Sequence, residues 1–512
     1  MTRVIYPPAA LAVMLCAALS ACTRTETATT ASQPKIAEAP APPAQKEPGA
    51  AAPALQTRFG PVELVNDYPT AASTRALYDE LDFQRAAQAY IWAIPLVAME
   101  SLRQSNVRDF NVPDGAVAVN DAYTSPELQA LTANNTTIYA GSAIDLRNGP
   151  IVIDSPPGAY GVIDDFWQRP ASEVGPFGPD KGNGGKFLLI PPGAEVAVPA
   201  GYFPVHAQTN RVFYLARASV KDGNVDAAVD TLTKIGIYPL SQAASPPATQ
   251  IVKTGGKPAN QIAPQGIAYW KMLSDAINSE TIEPRDRFFH AMLKPLGIEK
   301  GKPFQPDERQ TKILTEAAAL GFRMGQALSM EPRLDNAKGY PGTQWDWVLT
   351  LNPNQEADGY SQLDERTDYT FEAITVADGM IKQIPGAGSQ YMSAAKDKTG
   401  AWQDGGKSYR LRIPPNAPVK DFWAVTAYDN MSRSMVQTDT HRAGVDSKQA
   451  DLQRNEDGSV DVFFGPTAPA GKESNWIKTT PGKGWFAYFR WYGPTQEFFD
   501  RSWRLSDIEP TG

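Results

Sequence analysis

Cysteine and histidine are nearly missing from this 512-residue chain: it has two of the first and three of the second. His206, His290 and His441 stand far apart, without the spacing of metal ligands. A transition-metal centre needs such residues clustered, so no metal and no cofactor is expected. No EF-hand loop supports a calcium site. A Gly-x-Ser-x-Gly nucleophile turn is absent, and with three histidines nothing points to a triad. The run Gly182-Asn183-Gly184-Gly185-Lys186-Phe187 lacks the phosphate-loop spacing and the Ser or Thr after its Lys; it reads as a tight turn into a strand. Positive charge is also short. Lys and Arg number 48 against 56 Asp and Glu, for a net charge of −8, which argues against nucleic acid as a partner.

One cysteine has a clear use. Arg3 is followed by 11 apolar or small residues, Ala9 to Leu19. This run is too short to span a bilayer and matches the core of a signal peptide. It closes on Leu19-Ser20-Ala21-Cys22, the pattern of a lipoprotein signal (residues 1–21) with Cys22 as the lipidated first mature residue. Two or more acyl chains hold a protein stably to a membrane, where one is marginal. Thr23 after the cysteine favours the periplasmic face of the outer membrane. Removing residues 1–21 takes away Arg3 and no acid, so the charge goes from −8 to −9. Cys16 leaves with the signal, and the mature chain has no internal disulfide although its compartment is oxidising.

Residues 22–55 are Thr, Ala, Pro and Gln with scattered charges and no aromatic residue. Such a segment cannot bury enough apolar surface to order itself. As a coil it reaches roughly 30 Å, and roughly 100 Å fully extended, so it reads as a tether. The rest is long enough for a core that needs no cross-links.

Periodicity divides that rest. Phe83, Ala87, Tyr90 and Ile94 make a helical stripe, capped by Ser73 or Thr74 and ended or kinked at Pro95; a polar, loop-rich stretch is expected from there to Leu131. Residues 137–144, 150–155, 160–167, 186–190 and 211–217 are short apolar or alternating runs divided by Gly and Pro turns, as in a β-sandwich. Helical stripes return with Trp270, Leu273 and Ile277; with Phe288, Met292 and Leu296; and with Ile313, Ala317, Leu320, Met324 and Leu328 after an Asp307 cap. Another helix is expected over 371–384. Strands follow at 407–413, 421–429, 460–464 and 485–491, with a hairpin turn at Asn455–Ser459. The domains expected are residues 56–260 (helix plus β-sandwich), 261–395 (helical connection) and 396–512 (second sandwich). Phe166-Trp167 and Phe422-Trp423 hint that the two sandwiches are related.

Long strings carry a resemblance. AYIWAIPLV (89–97), NNTTIYAGSAIDLRNGPIVIDSPP (134–157), DDFWQRP (164–170) and GGKFLLIPPG (184–193) resemble domain of unknown function 1254. YRLRIPPNAPVKDFWAVTAYD (409–429), NEDGSVDVFFGP (455–466), NWI (475–477) and FRWYGP (489–494) resemble domain of unknown function 1214. Many relatives carry Asp where this chain has Thr136. The resemblance implies a mainly β, α+β protein, with two jelly-roll-like β-sandwiches and a helical connection. It implies no reaction, cofactor or catalytic residue.

Several residues are candidates for a site. Asn134, Asn135 and Tyr139 are poor core residues at a strand start and can cap a turn or face a ligand. Arg490 is a lone charge in an apolar strand and needs a partner: Asp421, Asp429 or an anionic group on a ligand. Six of the eleven tryptophans lie in the last 112 residues; flat rings such as Trp167, Trp423 and Trp476 suit stacking on a ligand as well as core packing. Asp164 and Tyr139 are the candidates for catalysis. Three readings stay open: binding of a small polar or carbohydrate-like ligand between the sandwiches, a metal-independent hydrolase or lyase using Asp, Tyr or Arg, and a protein-interaction module of the cell envelope.

Overall fold

The computed structural model describes residues 54–220 and 223–511. The signal segment, Cys22 and nearly all of the tether lie outside the described residues. The chain divides into two compact units, one ending at Thr70 and one running from Ala71 to Gly512. In the first, Leu55–Thr57 pairs with Gly60–Val62 and Leu64–Val65 with Tyr68–Pro69. Asn66 and Asp67, both at positive φ (51° and 65°), make the turn of the second hairpin, the geometry that suits two-residue hairpin loops.

The second unit is mainly β, with two β-sandwiches and a group of helices. Strands of the N-terminal sandwich are β1 (Ile138–Asp145), β2 (Ile151–Ser155), β3 (Ala159–Asp165), β4 (Pro170–Val174), β5 (Gly185–Ile190), β6 (Tyr202–His206), β7 (Arg211–Ala218) and β8 (Gly236–Pro239). Those of the C-terminal sandwich are β9 (Ser389–Ala394), β10 (Tyr409–Ile413), β11 (Val419–Asp429), β12 (Gly444–Asp446), β13 (Val460–Gly465), β14 (Trp476–Lys478), β15 (Trp485–Pro494) and β16 (Ile508–Pro510). In the first sandwich one sheet runs β4-β3-β7-β1, extended by Val117–Val119 and Ile251–Lys253, and the other β6-β5-β2-β8. In the second the orders are β12-β11-β15-β9, extended by Asp346–Trp347, and β14-β13-β10-β16. Each strand of the first therefore has its counterpart eight strands later, down to the parallel pairs β5/β6 and β13/β14.

Local chemistry repeats with the topology. Pro156-Pro157-Gly158 leaves β2 and Pro414-Pro415-Asn416 leaves β10. Gly158 and Asn416 both hold positive φ, 86° and 56°, which glycine and asparagine tolerate best. Asp165 ends β3 and accepts the backbone N–H groups of Trp167 and Arg169. Asp429 ends β11 and accepts those of Met431 and Ser432. The Phe-Trp pairs do not mark this repeat: Phe166-Trp167 follows β3, whereas Phe422-Trp423 lies early in β11.

The helices depart from the sequence reading in instructive ways. Helix α1 runs unbroken over Ala71–Phe110, through Pro95 and the first part of the stretch expected to be loop, which is loop-rich only from residue 111 on. A proline inside a helix costs about 3 kcal/mol, but Trp92, Leu96, Val97 and Met99 around it are buried, at about 1.5–3 kcal/mol each for aliphatic side chains of this size. Burial wins. Ser73 is inside the helix, not its cap. Helix α2 (Ile267–Ser279) buries Trp270, Leu273 and Ile277 as expected. Phe288, by contrast, is 66% exposed. Helix α3 (Glu308–Met330) starts on Asp307 with a capping box to Gln310. Ile313 and Ala317 of the expected stripe are buried, but the face continues through Leu314, Ala318, Gly321, Phe322 and Gly325 and leaves Leu320 exposed. The glycines explain the rotation: a Cβ at Gly321 would sit 2.6 Å from the Tyr90 ring, and one at Gly325 2.7 Å from Phe371. Close approach selects the small face over the greasier one. Helix α4 (Leu363–Glu372) completes the group; past its end, only Asp378–Ile381 of the helix expected over 371–384 is helical.

The N-terminal sandwich has its own aliphatic core between its sheets. The helices and the C-terminal sandwich share one continuous core, which also takes in Ala143, Phe166 and Phe213 from the N-terminal sandwich. Alternation along β7 sets this up. Val212, Tyr214 and Ala216 point into the sandwich, and Arg211, Phe213, Leu215 and Arg217 point out of it.

Candidate functional site

The outward faces of the two large sheets line one cavity of about 1480 Å³. The N-terminal sandwich contributes Tyr139, Tyr160 and Arg217, and the C-terminal one Tyr391, Arg490 and Tyr492. Apolar walls come from Leu102, Phe110, Leu215 and Met380 among others.

The polar groups are placed by strand register. Arg217 on β7 lies directly opposite Tyr139 on β1, with Tyr160 of β3 on its other side. Arg490 on β15 lies directly opposite Tyr391 on β9. The strand pairs β1/β7 and β9/β15 are counterparts, so the two Arg–Tyr pairs are the same feature built twice. The segments Val212–Ala218 and Trp485–Trp491, VFYLARA and WFAYFRW, align without a gap on these arginines.

The arginines differ in what they hold. Arg490 is 3% exposed. It donates to the Thr426 Oγ1 at 3.2 Å and to the Thr132 carbonyl at 2.9 Å. No carboxylate pairs with it among the described residues; Asp429, one expected partner, instead caps its own turn and meets Lys483 at 3.6 Å. Arg217 makes no hydrogen bond or ion pair among the described residues. Its guanidinium lies 4.9 Å from the centre of the Tyr160 ring. Burial works against its charge, while Tyr139, Tyr160, Tyr391 and Tyr492 around it raise its pKa. Arg211, on the same face of the same strand, is the contrast. It is buried and bound to Glu100 at 2.7 Å and Glu280 at 2.6 Å. One end of the strand face is closed by carboxylates, and the other is left open.

A hydrogen-bonded seam joins the sandwiches at the cavity wall. Asn134 Nδ2 donates to the Tyr492 hydroxyl at 2.7 Å and to that of Tyr139 at 3.1 Å. Asn134 Oδ1 accepts from the Thr136 N–H and hydroxyl, and Thr136 Oγ1 is 3.1 Å from the Tyr492 hydroxyl. Asn134 thus caps a turn and lines the cavity. Two carboxylates also line the wall, Glu173 and Asp421, alongside Lys420 and Lys448. Burial, chiefly, raises the Glu173 pKa and lowers that of Lys448.

The structure brings Asn134, Tyr139 and Arg490 together here and places the other candidates elsewhere. Asn135 is 3.4 Å from Thr426 Oγ1 and abuts Gly444. Trp167 packs against Trp92 with centroids 4.8 Å apart. Trp423 stacks on Phe489 inside the C-terminal sandwich. Trp476 donates its indole N–H to the Gly465 carbonyl. Asp164 is fully buried; it accepts the Val376 N–H at 2.9 Å, and burial raises its pKa well above the usual carboxylate range. Sequence reading missed Arg217, Tyr160, Tyr391 and Tyr492. The available signal was the gapless match of the two arginine-bearing strands.

Fold and site together define a duplicated β-sandwich protein with a cavity between its halves. Within that class, residues 115–239 match the family described as "Protein of unknown function (DUF1254)" and residues 388–496 that described as "Protein of unknown function (DUF1214)". These are the two families the sequence resembles, in the same order. No curated protein matches the chain. Among solved structures, the VPA0106 protein from Vibrio parahaemolyticus is similar over 84% of this chain and all of its own, at 19% identity and a TM-score of 0.50. That likeness speaks for the fold alone. An uncharacterized protein from Burkholderia cenocepacia is similar over 86% of this chain and 96% of its own, at 13% identity and a TM-score of 0.38.

Proposed function

We propose that this protein is an envelope lipoprotein that binds a small polar ligand in the cleft between its two sandwiches. The observation that carries the reading is the cavity of about 1480 Å³ with Arg217 unpaired on its wall. Arg217 is half-buried and has no carboxylate partner among the described residues, so its guanidinium can meet an anionic group that enters the cleft. The size exceeds the roughly 300–1,000 Å³ of ordinary ligand sites, so a multi-ring or chain-like molecule fits. Asp164 does not line the cavity, which leaves Tyr139 as the catalytic candidate that a ligand could touch. The anchor rests on the Leu19–Cys22 motif. Among the described residues no helix is long and apolar enough to cross a membrane.

A thermal-shift panel of sugars, murein fragments, aromatic acids, short lipids and divalent ions tests the binding reading. A ligand that binds only the native state adds about 2.7 kcal/mol at 100 times its Kd. Leu215→Trp, which adds an indole to the cleft wall two residues from Arg217, should reduce the shift; a shift left unchanged both by this and by Arg217→Gln comes from another site and defeats the reading. Labelling with palmitate tests the anchor, which Cys22→Ser should lose.

A further inference from the structure

Resting on the cleft as the binding site, we propose that its ligand is an organic acid whose anionic head is clamped between Arg217 and Arg490 while an apolar body fills the rest of the cavity. Four observations lead there. First, the two arginines are counterparts in a duplicated fold, each directly opposite a tyrosine across a strand pair. Second, Tyr139, directly opposite Arg217, and Tyr492, two residues along β15 from Arg490, both accept hydrogen bonds from Asn134, so the two arginines converge on one region. Third, neither has a carboxylate: Arg490 spends donors on Thr426 and Thr132, and Arg217 spends none. Fourth, the tyrosine hydroxyls around them can donate to an anion as well.

The charge balance of the wall agrees. Arg217, Arg490, Lys420 and Lys448 face Glu173 and Asp421, and Lys448 sits over the Phe422 ring at 3.8 Å. Planar, forked guanidinium groups match a carboxylate or phosphate with paired hydrogen bonds. Leu102, Phe110, Leu215 and Met380 offer nothing to a sugar but pack well on a hydrocarbon or aromatic body. The class is therefore an amphipathic carboxylate or phosphate, not a neutral carbohydrate.

Titration calorimetry on the full-length chain tests this with matched probes: decanoate against 1-decanol, and 3-phenylpropanoate against 3-phenylpropanol. At least one acid should bind 10–100-fold tighter than its alcohol, the worth of charge-assisted hydrogen bonds of about 1.5–3 kcal/mol. Arg217→Gln should erase that preference and Arg217→Lys restore part of it. Arg217 makes no hydrogen bond among the described residues, so these variants should keep the wild-type melting curve or improve on it. Equal affinity for acid and alcohol, reduced in Leu215→Trp, would overturn the clamp and leave the cleft as a binding site. A preference that persists in Arg217→Gln would also overturn it. No binding of any of the four probes would count against both the clamp and the cleft.

Discussion

The two sandwiches share a strand order but not a core. Between the sheets of the N-terminal one lie Ile153, Ile163, Leu189 and Val212; between those of the C-terminal one lie Trp423, Phe464, Trp485, Phe489 and Trp491. Branched aliphatics fill one and stacked rings the other. The difference teaches that this topology is held by alternation and by turns such as Pro-Pro-Gly and Pro-Pro-Asn, while the filling can change wholesale if volume and pattern are kept.

The contrast can be broken by substitution. Trp491→Ala removes a fully buried ring that packs on Phe489 and Phe498 and should cost about 3–5 kcal/mol, whereas Ile163→Val should cost about 0.5–1.5 kcal/mol. Urea midpoints measure both; equal losses would mean that the ring-filled core is not the more brittle. Next comes Gly161, whose counterpart in the repeat is Val425. Adding a Cβ there would place it 1.9 Å from the Leu215 carbonyl oxygen. Gly161→Ala should therefore cost about 3 kcal/mol, and circular dichroism with melting will show whether the β3–β7 ladder survives.

Each outward face also meets a buried carboxyl, Asp164 on one side and Glu372 on the other. Glu372 accepts the Tyr488 hydroxyl, and burial raises its pKa from 4.5 to about 8. The native state then keeps a proton that the unfolded chain releases. Its contribution is fully present below pH 4.5 and is lost as pH rises to about 8, by up to about 1.4 kcal/mol per pH unit. Stability of Glu372→Gln relative to wild type should rise across that window; a flat difference would show that the carboxyl is ionised in the fold. The smallest effect sharpens the comparison of the arginines. Arg217→Gln should stabilise the ligand-free protein by on the order of 1 kcal/mol, while Arg490→Gln should lose about as much through its broken bonds to Thr426 and Thr132. Opposite signs in the two melting curves are the expected result.

Much of the β architecture was legible. Period-two runs with Gly and Pro between them located nine strands to within a few residues, and the Asp307 cap and the α2 face were read correctly. What escaped was set by tertiary contact. Pro95 could not stop a helix buried on so many sides, and the α3 face turned toward Gly321 and Gly325 because backbone approach outweighed side-chain greasiness. Within the site, Asn134, Tyr139 and Arg490 stood out as polar residues where apolar ones belong. Arg217 did not, because it closes a strand and looks like an ordinary end residue. Its position opposite Tyr139 and the match of its strand with that of Arg490 reveal it. The tryptophans misled for the converse reason: a ring suited to stacking on a ligand is equally suited to the core, where Trp167 and Trp423 lie.

The seam between Asn134 and Tyr492 spans 358 positions of sequence. At about 5–20 residues per second, roughly 15–60 s of synthesis separate the end of β7 from the end of β15. The first half of the molecule must wait that long with one wall of its cavity bare. A chain that ends before β15 lacks Arg490 and Tyr492, so its N-terminal sandwich carries Arg217 on a wall with no opposite side.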